Sequence, residues 1–261
     1  MVIDPFCGSG TTMVEALALG VDSFGCDISE FNCLLSRVKT AEYDLKLLER
    51  EIEDILARTV TRPQLRLMEE QTPYLANSYL QEWYATEALQ ELLSYRSLIA
   101  EYQYQDVLKI ILSRSARSAR LTAHFDLDFP KTPTKEPYYC YKHKRVCQPA
   151  RSAKQFLTRY SHDTLKRITE FADIRRPATA KVVCGDSRSV EFPACDLIIT
   201  SPPYLGLIDY HEQHRYAYEL LGLPWHADKE IGSASNGKSS CQMLWKFPSS
   251  RPVHQAVTVA S

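Results

Sequence analysis

The chain contains no apolar run approaching the roughly 18 residues that cross a bilayer, which predicts no transmembrane helix and no membrane partner. Its opening, Met1-Val2-Ile3-Asp4-Pro5, lacks the basic and apolar stretches of a secretory leader. Eight cysteines in 261 residues are too sparse for a disulfide scaffold, so they read as reduced thiols of a cytoplasmic protein. Nor is there the apolar poverty of a disordered chain: 44% of residues are hydrophobic and 24% charged, as in globular domains. No internal repeat is present. No Gly-Lys-Ser/Thr follows a strand, which excludes a phosphate-binding P-loop.

Net charge is also nearly absent, at −1, yet it is unevenly spread. Residues 109–159 carry twelve Lys and Arg against Asp126, Asp128 and Glu136, a local balance of +9 that leaves −10 for the rest. Such a block suggests a local polyanion contact, and a solvated basic face accounts for the charge equally well.

Turn residues and apolar runs divide the remainder. Val2-Ile3 leads into Asp4-Pro5-Phe6-Cys7-Gly8-Ser9-Gly10, residues 11–19 keep helical spacing, and Gly20 suits a C-terminal cap. Ser23–Cys26 is a short strand ending at Asp27. A strand, glycine loop, helix, strand and acid in 27 residues belong to a parallel α/β sheet. Residues 29–120 read as mostly helical, with Pro63 and Pro73 as boundaries. The segment 105–121 is amphipathic and sets Arg114, Arg117 and Arg120 roughly on one face. Residues 122–150, with four prolines and Tyr138, Tyr139 and Tyr141, read as an irregular loop, followed by a helix over 153–174. Strand signals return at Lys181–Cys184, before Gly185-Asp186, and at Asp196–Thr200, before Ser201-Pro202-Pro203-Tyr204. Their continuous apolar character suits central, doubly covered strands.

The loop Gly8-Ser9-Gly10 lets a ligand approach the backbone closely, and Asp27 can accept bonds from two ribose hydroxyls. An ordinary tight turn is the competing reading. With no third glycine at Met13, the pattern favours a nucleoside ligand over a dinucleotide. In Thr200-Ser201-Pro202-Pro203-Tyr204 the prolines remove two donors and stiffen the turn, leaving carbonyls as acceptors. Ser201 adds a hydroxyl acceptor and Tyr204 a flat surface for stacking. Two acceptors and a stacking face fit the exocyclic amine of a nucleobase.

Asp4-Pro5-Phe6-Cys7-Gly8-Ser9-Gly10-Thr11-Thr12 together with Thr200-Ser201-Pro202-Pro203-Tyr204 resembles the amino-group DNA methyltransferases, which make N4-methylcytosine or N6-methyladenine. The resemblance covers residues 1 to about 237. It implies a Rossmann-like α/β sheet, S-adenosylmethionine as cofactor and DNA as substrate. Asp4, Pro5, Phe6, Gly8, Ser9, Gly10, Thr11 and Thr12 would hold its methionine part, Asp27 its ribose and Asp186 its adenine. Ser201, Pro202, Pro203 and Tyr204 would be catalytic, and the Ser-Pro-Pro-Tyr form favours N4 of cytosine over N6 of adenine. An RNA guanine-N2 methyltransferase is a rival, against which Ser201 argues, because that catalytic motif usually begins with Asp. Cys7 reads as a loop-packing residue.

On this reading residues 1–40 are the cofactor half, 41–176 a helical, basic insertion, 177–232 the catalytic half, and 233–261 a disordered or aberrant tail. Arg114, Arg117, Arg120, Lys142, Lys144 and Arg145 are the DNA-contact candidates. Cys140, His143 and Cys147 form C-x2-H-x3-C, with His124 or His162 as a fourth ligand; none is obvious, and no metal is assigned. Tyr210 and His211 are candidate neighbours of the target base. The chain opens inside its first strand and offers no convincing strand after Tyr204, so the sheet reads as incomplete. A truncated, inactive fragment is therefore the rival from another class. The open edge beyond Thr200 calls for self-association or a complementing chain.

Overall fold

In the computed structural model, described over residues 1–61, 72–127, 130–203, 209–226 and 255–258, helices and strands alternate only near the two ends. The order is β1 (Val2–Asp4), α1 (Thr11–Leu19), β2 (Ser23–Asp27), α2 (Glu30–Thr40), α3 (Leu45–Thr61), α4 (Thr72–Leu75), α5 (Ser78–Trp83), α6 (Thr86–Leu98) and α7 (Gln105–Ala119). There follow β3 (Tyr138–Cys140), β4 (Arg145–Cys147), α8 (Lys154–Ile174), β5 (Ala180–Cys184), β6 (Leu197–Thr200), α9 (Tyr210–Gln213), α10 (Arg215–Leu221) and β7 (Gln255–Thr258). The chain divides into two units: Met1–Glu42 with Ile168–His214 and Pro224–Ser261, and Tyr43–Arg167 with Arg215–Leu223. The division falls inside α8, and residues 215–223 leave the catalytic half for the second unit.

The first unit is built on a parallel sheet in the order β5-β2-β1-β6-β7. Ile3 lies opposite Phe24 on one side and Ile198 on the other, and Asp27 lies opposite Cys184. Ile3, Phe24, Cys26 and Ile198 pack on Phe192, whose ring meets Phe24 edge-on at 5.7 Å. A Cβ at Gly25 would come within 2.9 Å of the Cys7 Cβ and collide with Met13, so glycine here lets loop and helix lie against β2. The α1 helix ends as the sequence predicts, at Gly20 with φ 72°.

Two expectations fail in this sheet. The apolar run of β5 is not central: the strand pairs only with β2 among the described residues and forms an edge. The outer side of β6 is not bare either, because β7 pairs with it in parallel, with Ile198 opposite Ala256 and Thr200 opposite Thr258. The tail therefore supplies a strand, and the reason for invoking a second chain at that edge disappears. The rest of the tail lies outside the described residues.

The second unit is helical. Leu48, Ile52 and Ile55 of α3 and Leu89, Leu92 and Leu93 of α6 are buried, as are Leu108, Ile111 and Leu112 of α7. These helices pack α3 on α6, α6 on α7 and α7 on α10. The buried Glu91 carboxylate accepts bonds from the Ala153 N–H at 2.6 Å and the Ser152 hydroxyl at 2.9 Å, capping the start of α8. Residues 122–150 are not wholly irregular, since β3 and β4 form an antiparallel hairpin. Among the described residues no helix is long and apolar enough to cross a membrane.

Candidate active site

Strand order reverses direction between β1 and β6, and in open α/β sheets ligands bind beyond the strand ends at such a switch point. A cavity of about 310 Å³ occupies that place in the first unit. Every strand that flanks the switch contributes to it. Asp4 ends β1 and Pro5–Gly8, Thr11 and Thr12 follow it, Asp27 ends β2 and Ile28 and Ser29 follow it, Gly185–Ser187 follow β5, and Ser201 and Pro203 follow β6. Tyr210 and His211 of α9 close the lining.

The glycine loop is held from below. Gly8 and Gly10 take positive φ values of 49° and 80°, which favour glycine. A Cβ at Gly10 would lie 2.7 Å from the Ser36 Oγ and 3.1 Å from the Ser36 Cα. Ser36 and Lys39 of α2 donate to the Gly8 and Ser9 carbonyls at 2.9 and 2.8 Å. The sequence reading missed both braces, together with Ser29 and Asn32 of the lining. Ser29 had a signal: it directly precedes the helical spacing Phe31, Leu34, Leu35, Val38, and it caps α2 by accepting the Asn32 N–H at 3.2 Å.

Asp27 organises the floor. Its Oδ2 accepts the Gly8 N–H at 2.8 Å, and its Oδ1 accepts the Ser29 N–H at 2.8 Å and the Asn32 amide at 3.2 Å. Burial pushes its carboxyl above the ordinary range, against these three donors and the nearby His211. A carboxylate offers about four acceptor positions, so one remains at Oδ2 after the described bonds rather than the two a ribose diol could use. Asp4 accepts the Thr12 hydroxyl at 2.6 Å and the Phe6 N–H at 3.1 Å. Burial also raises Asp4, and the charge of Asp27 adds to that. Burial holds the Cys7 thiol well above its usual range, so it stays protonated and packs the loop.

Asp186 reaches the cavity, but Arg188 grips both of its oxygens through Nε at 2.9 and 3.1 Å and Nη2 at 2.6 Å. Ser201 and Pro203 line the cavity while Pro202 is not among its lining residues, and Tyr204 lies outside the described residues.

The helical arginines do not form an open DNA face. Arg120 is only 4% exposed, sits over the Tyr216 ring at 4.8 Å and donates to the Leu127 carbonyl at 2.7 Å. Arg114 pairs with Asp163 at 2.5 Å, donates to Thr164 and covers the Tyr160 ring at 4.6 Å. Arg117 is half-buried on the same helix. Lys142, Lys144 and Arg145, by contrast, are exposed in and beside the turn between β3 and β4.

A family model described as DNA methylase matches residues 1–37, which hold the glycine loop, Asp27 and the Ser36 brace. A Type II methyltransferase, M.MjaII of Methanocaldococcus jannaschii, is 34% identical over an alignment that covers 92% of this chain and 60% of the relative. The chain is thus similar to DNA methylases in its first 37 residues and to a Type II methyltransferase over most of its length. Members of the DNA methylase family depend on S-adenosylmethionine. Two further Type II methyltransferases are similar, M.MvaI of Kocuria varians, 22% identical over 89% of this chain and 53% of its own, and M.BsoBI of Geobacillus stearothermophilus, 24% identical over 92% and 50%. The chain thus spans between half and three-fifths of the length of these methyltransferases.

Proposed function

We propose that this chain carries an S-adenosylmethionine-dependent methyltransferase site that modifies an exocyclic amine of DNA, with N4 of cytosine ahead of N6 of adenine, as part of a restriction-modification system. The observation that supports the reading is the single cavity lined by the β1 loop, Asp27, Asp186 and Ser201 at four neighbouring strand ends. Its volume lies at the small end of ligand sites, about 300–1,000 Å³, and it joins Asp4, Asp27 and Asp186 to a glycine loop.

When bound, the cofactor supplies an electrophilic methyl group on a sulfonium. The remaining acceptor of Asp27 takes a ribose hydroxyl, and Gly8, where an added Cβ would meet nothing within 4 Å, leaves room against the backbone. An exocyclic amine is a poor nucleophile because its lone pair is shared with the ring. Ser201 Oγ and the Pro202 carbonyl accept its two N–H bonds, localising that lone pair toward the methyl group, and Tyr204 stacks on a base drawn out of the duplex. These bonds strengthen as positive charge develops on nitrogen, which is where acceptors lower a barrier. Lys142, Lys144 and Arg145 contact phosphate.

Transfer of labelled methyl groups to DNA, followed by mass spectrometry of the nucleosides, tests the reading. N4-methyldeoxycytidine is the expected product, and Ser201→Ala lowers the rate about tenfold, one hydrogen bond of roughly 1.5 kcal/mol. N6-methyldeoxyadenosine reassigns the base, and absence of any labelled nucleoside overturns the activity.

A further inference from the structure

The second unit gathers a ligand set that the methyl-transfer reading does not use. His124 lies just beyond α7, Cys140 ends β3, His143 sits in the turn and Cys147 ends β4. One ligating atom from each lies within 4.8 Å of all the others. We propose that these four side chains bind one zinc ion that staples the β3–β4 hairpin to the segment after α7.

The hairpin register sets the geometry. Cys140 pairs with Arg145 and Tyr138 with Cys147, so Cys140 and Cys147 lie diagonally on one face of the ribbon. Both are buried, while Tyr139 and Val146 on the opposite face are exposed. The turn Tyr141–Lys144 bends through Lys144 at φ 51°, the one non-glycine residue with positive φ among those described. His143 Nδ1 lies 3.5 Å from Cys147 Sγ. With zinc–sulfur and zinc–nitrogen bonds of about 2.3 and 2.05 Å, the sulfur–nitrogen edge of a tetrahedron is about 3.6 Å. His124 comes from another segment, and its ring centroid is 4.8 Å from that of His143. Its backbone N–H donates to the Tyr138 hydroxyl at 2.9 Å, which carries it to the hairpin. His162, the other candidate from sequence, is not in the group.

The chemistry selects the ion and its role. Two thiolates and two imidazoles form a borderline-soft, tetrahedral donor set whose charge a divalent ion cancels. On binding, the two thiols release their protons to solvent and no oxidant is involved. Four protein ligands leave no open position, so the ion is structural. The need is physical as well: two three-residue strands make a hairpin that is marginal alone, and Phe125, Tyr139, Tyr141 and Val146 are all exposed.

The proposal stands independently of methyl transfer, and its test reads the metal. The full chain is purified in reducing buffer with zinc, passed over a desalting column with a weak chelator, and its metal content measured by plasma mass spectrometry. One zinc per chain is expected. Exchange with cobalt(II) is expected to give the intense visible bands of tetrahedral cobalt and a thiolate charge-transfer band. Cys140→Ser and His124→Asn should lose the metal, while Cys147→His should keep it with a weaker charge-transfer band. If a variant fails to fold, the unaltered chain still decides. Zinc well below one per chain, or a cobalt spectrum that is six-coordinate or lacks the thiolate band, overturns the proposal.

Discussion

Replacing Asp27 by Asn keeps the shape of the side chain and exchanges one acceptor oxygen for a donor. If the new oxygen stays with Ser29 and Asn32, the NH2 group faces the Gly8 N–H and also the position where a ribose hydroxyl would donate. If the amide flips, Gly8 is kept and the two bonds from Ser29 and Asn32 are lost. The first arrangement sacrifices fewer bonds. It removes one bond to the loop and the one ligand bond that Oδ2 can still make, each a charge-assisted bond of roughly 1.5–3 kcal/mol. Losing the loop bond is partly offset in the free chain, because burial already penalises the Asp27 charge. No such offset applies to the ligand bond. Affinity for S-adenosylmethionine should therefore fall by about 10- to 100-fold, while the stability of the free chain changes less. Titration calorimetry measures the first and urea unfolding the second. Affinity within twofold of the unaltered chain would refute the assignment of Asp27 to the ligand, and unfolding that accompanies lost binding would show that Asp27 acts only as a brace.

Gly10→Ala places a Cβ at φ 80° against Ser36, so urea unfolding should report a loss of about 1–3 kcal/mol; an unchanged midpoint would mean that the loop moves freely. The raised carboxyl of Asp4 makes stability highest below the ordinary carboxylate pKa, near 4, and lower as pH rises through the raised value. Asp4→Asn should flatten that decline in urea midpoints measured from acid to neutral pH, and an unaltered slope would remove Asp4 as its source. Substituting Lys142, Lys144 and Arg145 by Gln should lower the log–log salt slope of DNA binding by about 0.9 per lost phosphate contact, with stability held within about 0.5 kcal/mol. Arg120→Gln should do the reverse, costing stability through its Tyr216 and Leu127 contacts with little change in slope; equal slopes in the triple variant would return the hairpin basic residues to solvent.

The parts of the site that the sequence discloses are those decided within a few residues. The positive φ values at Gly8 and Gly10, the cap at Gly20 and the acid at the end of β2 each follow from a turn or a strand end, where local sterics outweigh distant partners. Ser201 and Asp186 are legible in the same way, as turns after apolar strands. The Arg188 grip on Asp186 was open to a sequence reading as well, because Asp-Ser-Arg spans a single turn. What escapes is settled across long separations. An apolar run shows that β5 is a strand, but not that β2 is its one partner among the described residues, because the order of parallel strands depends on crossovers rather than on composition. The spacing of Arg114 and Arg120 gives a helix face, but not the Asp163 carboxylate 49 residues beyond Arg114 or the Tyr216 ring.

The β3–β4 hairpin escapes for a different reason. Its turn contains no glycine or asparagine, and Lys144 takes the left-handed conformation those residues normally supply. A turn without turn residues must be held by something other than its own backbone preference. Strand pairing of three residues each is too short to do so, and the exposed faces bury little apolar area. Convergent side chains remain, and those that converge are two thiols and two imidazoles. The missing local signal and the ligand cluster fall at one place: where propensity does not specify the bend, the proposed zinc site would hold it.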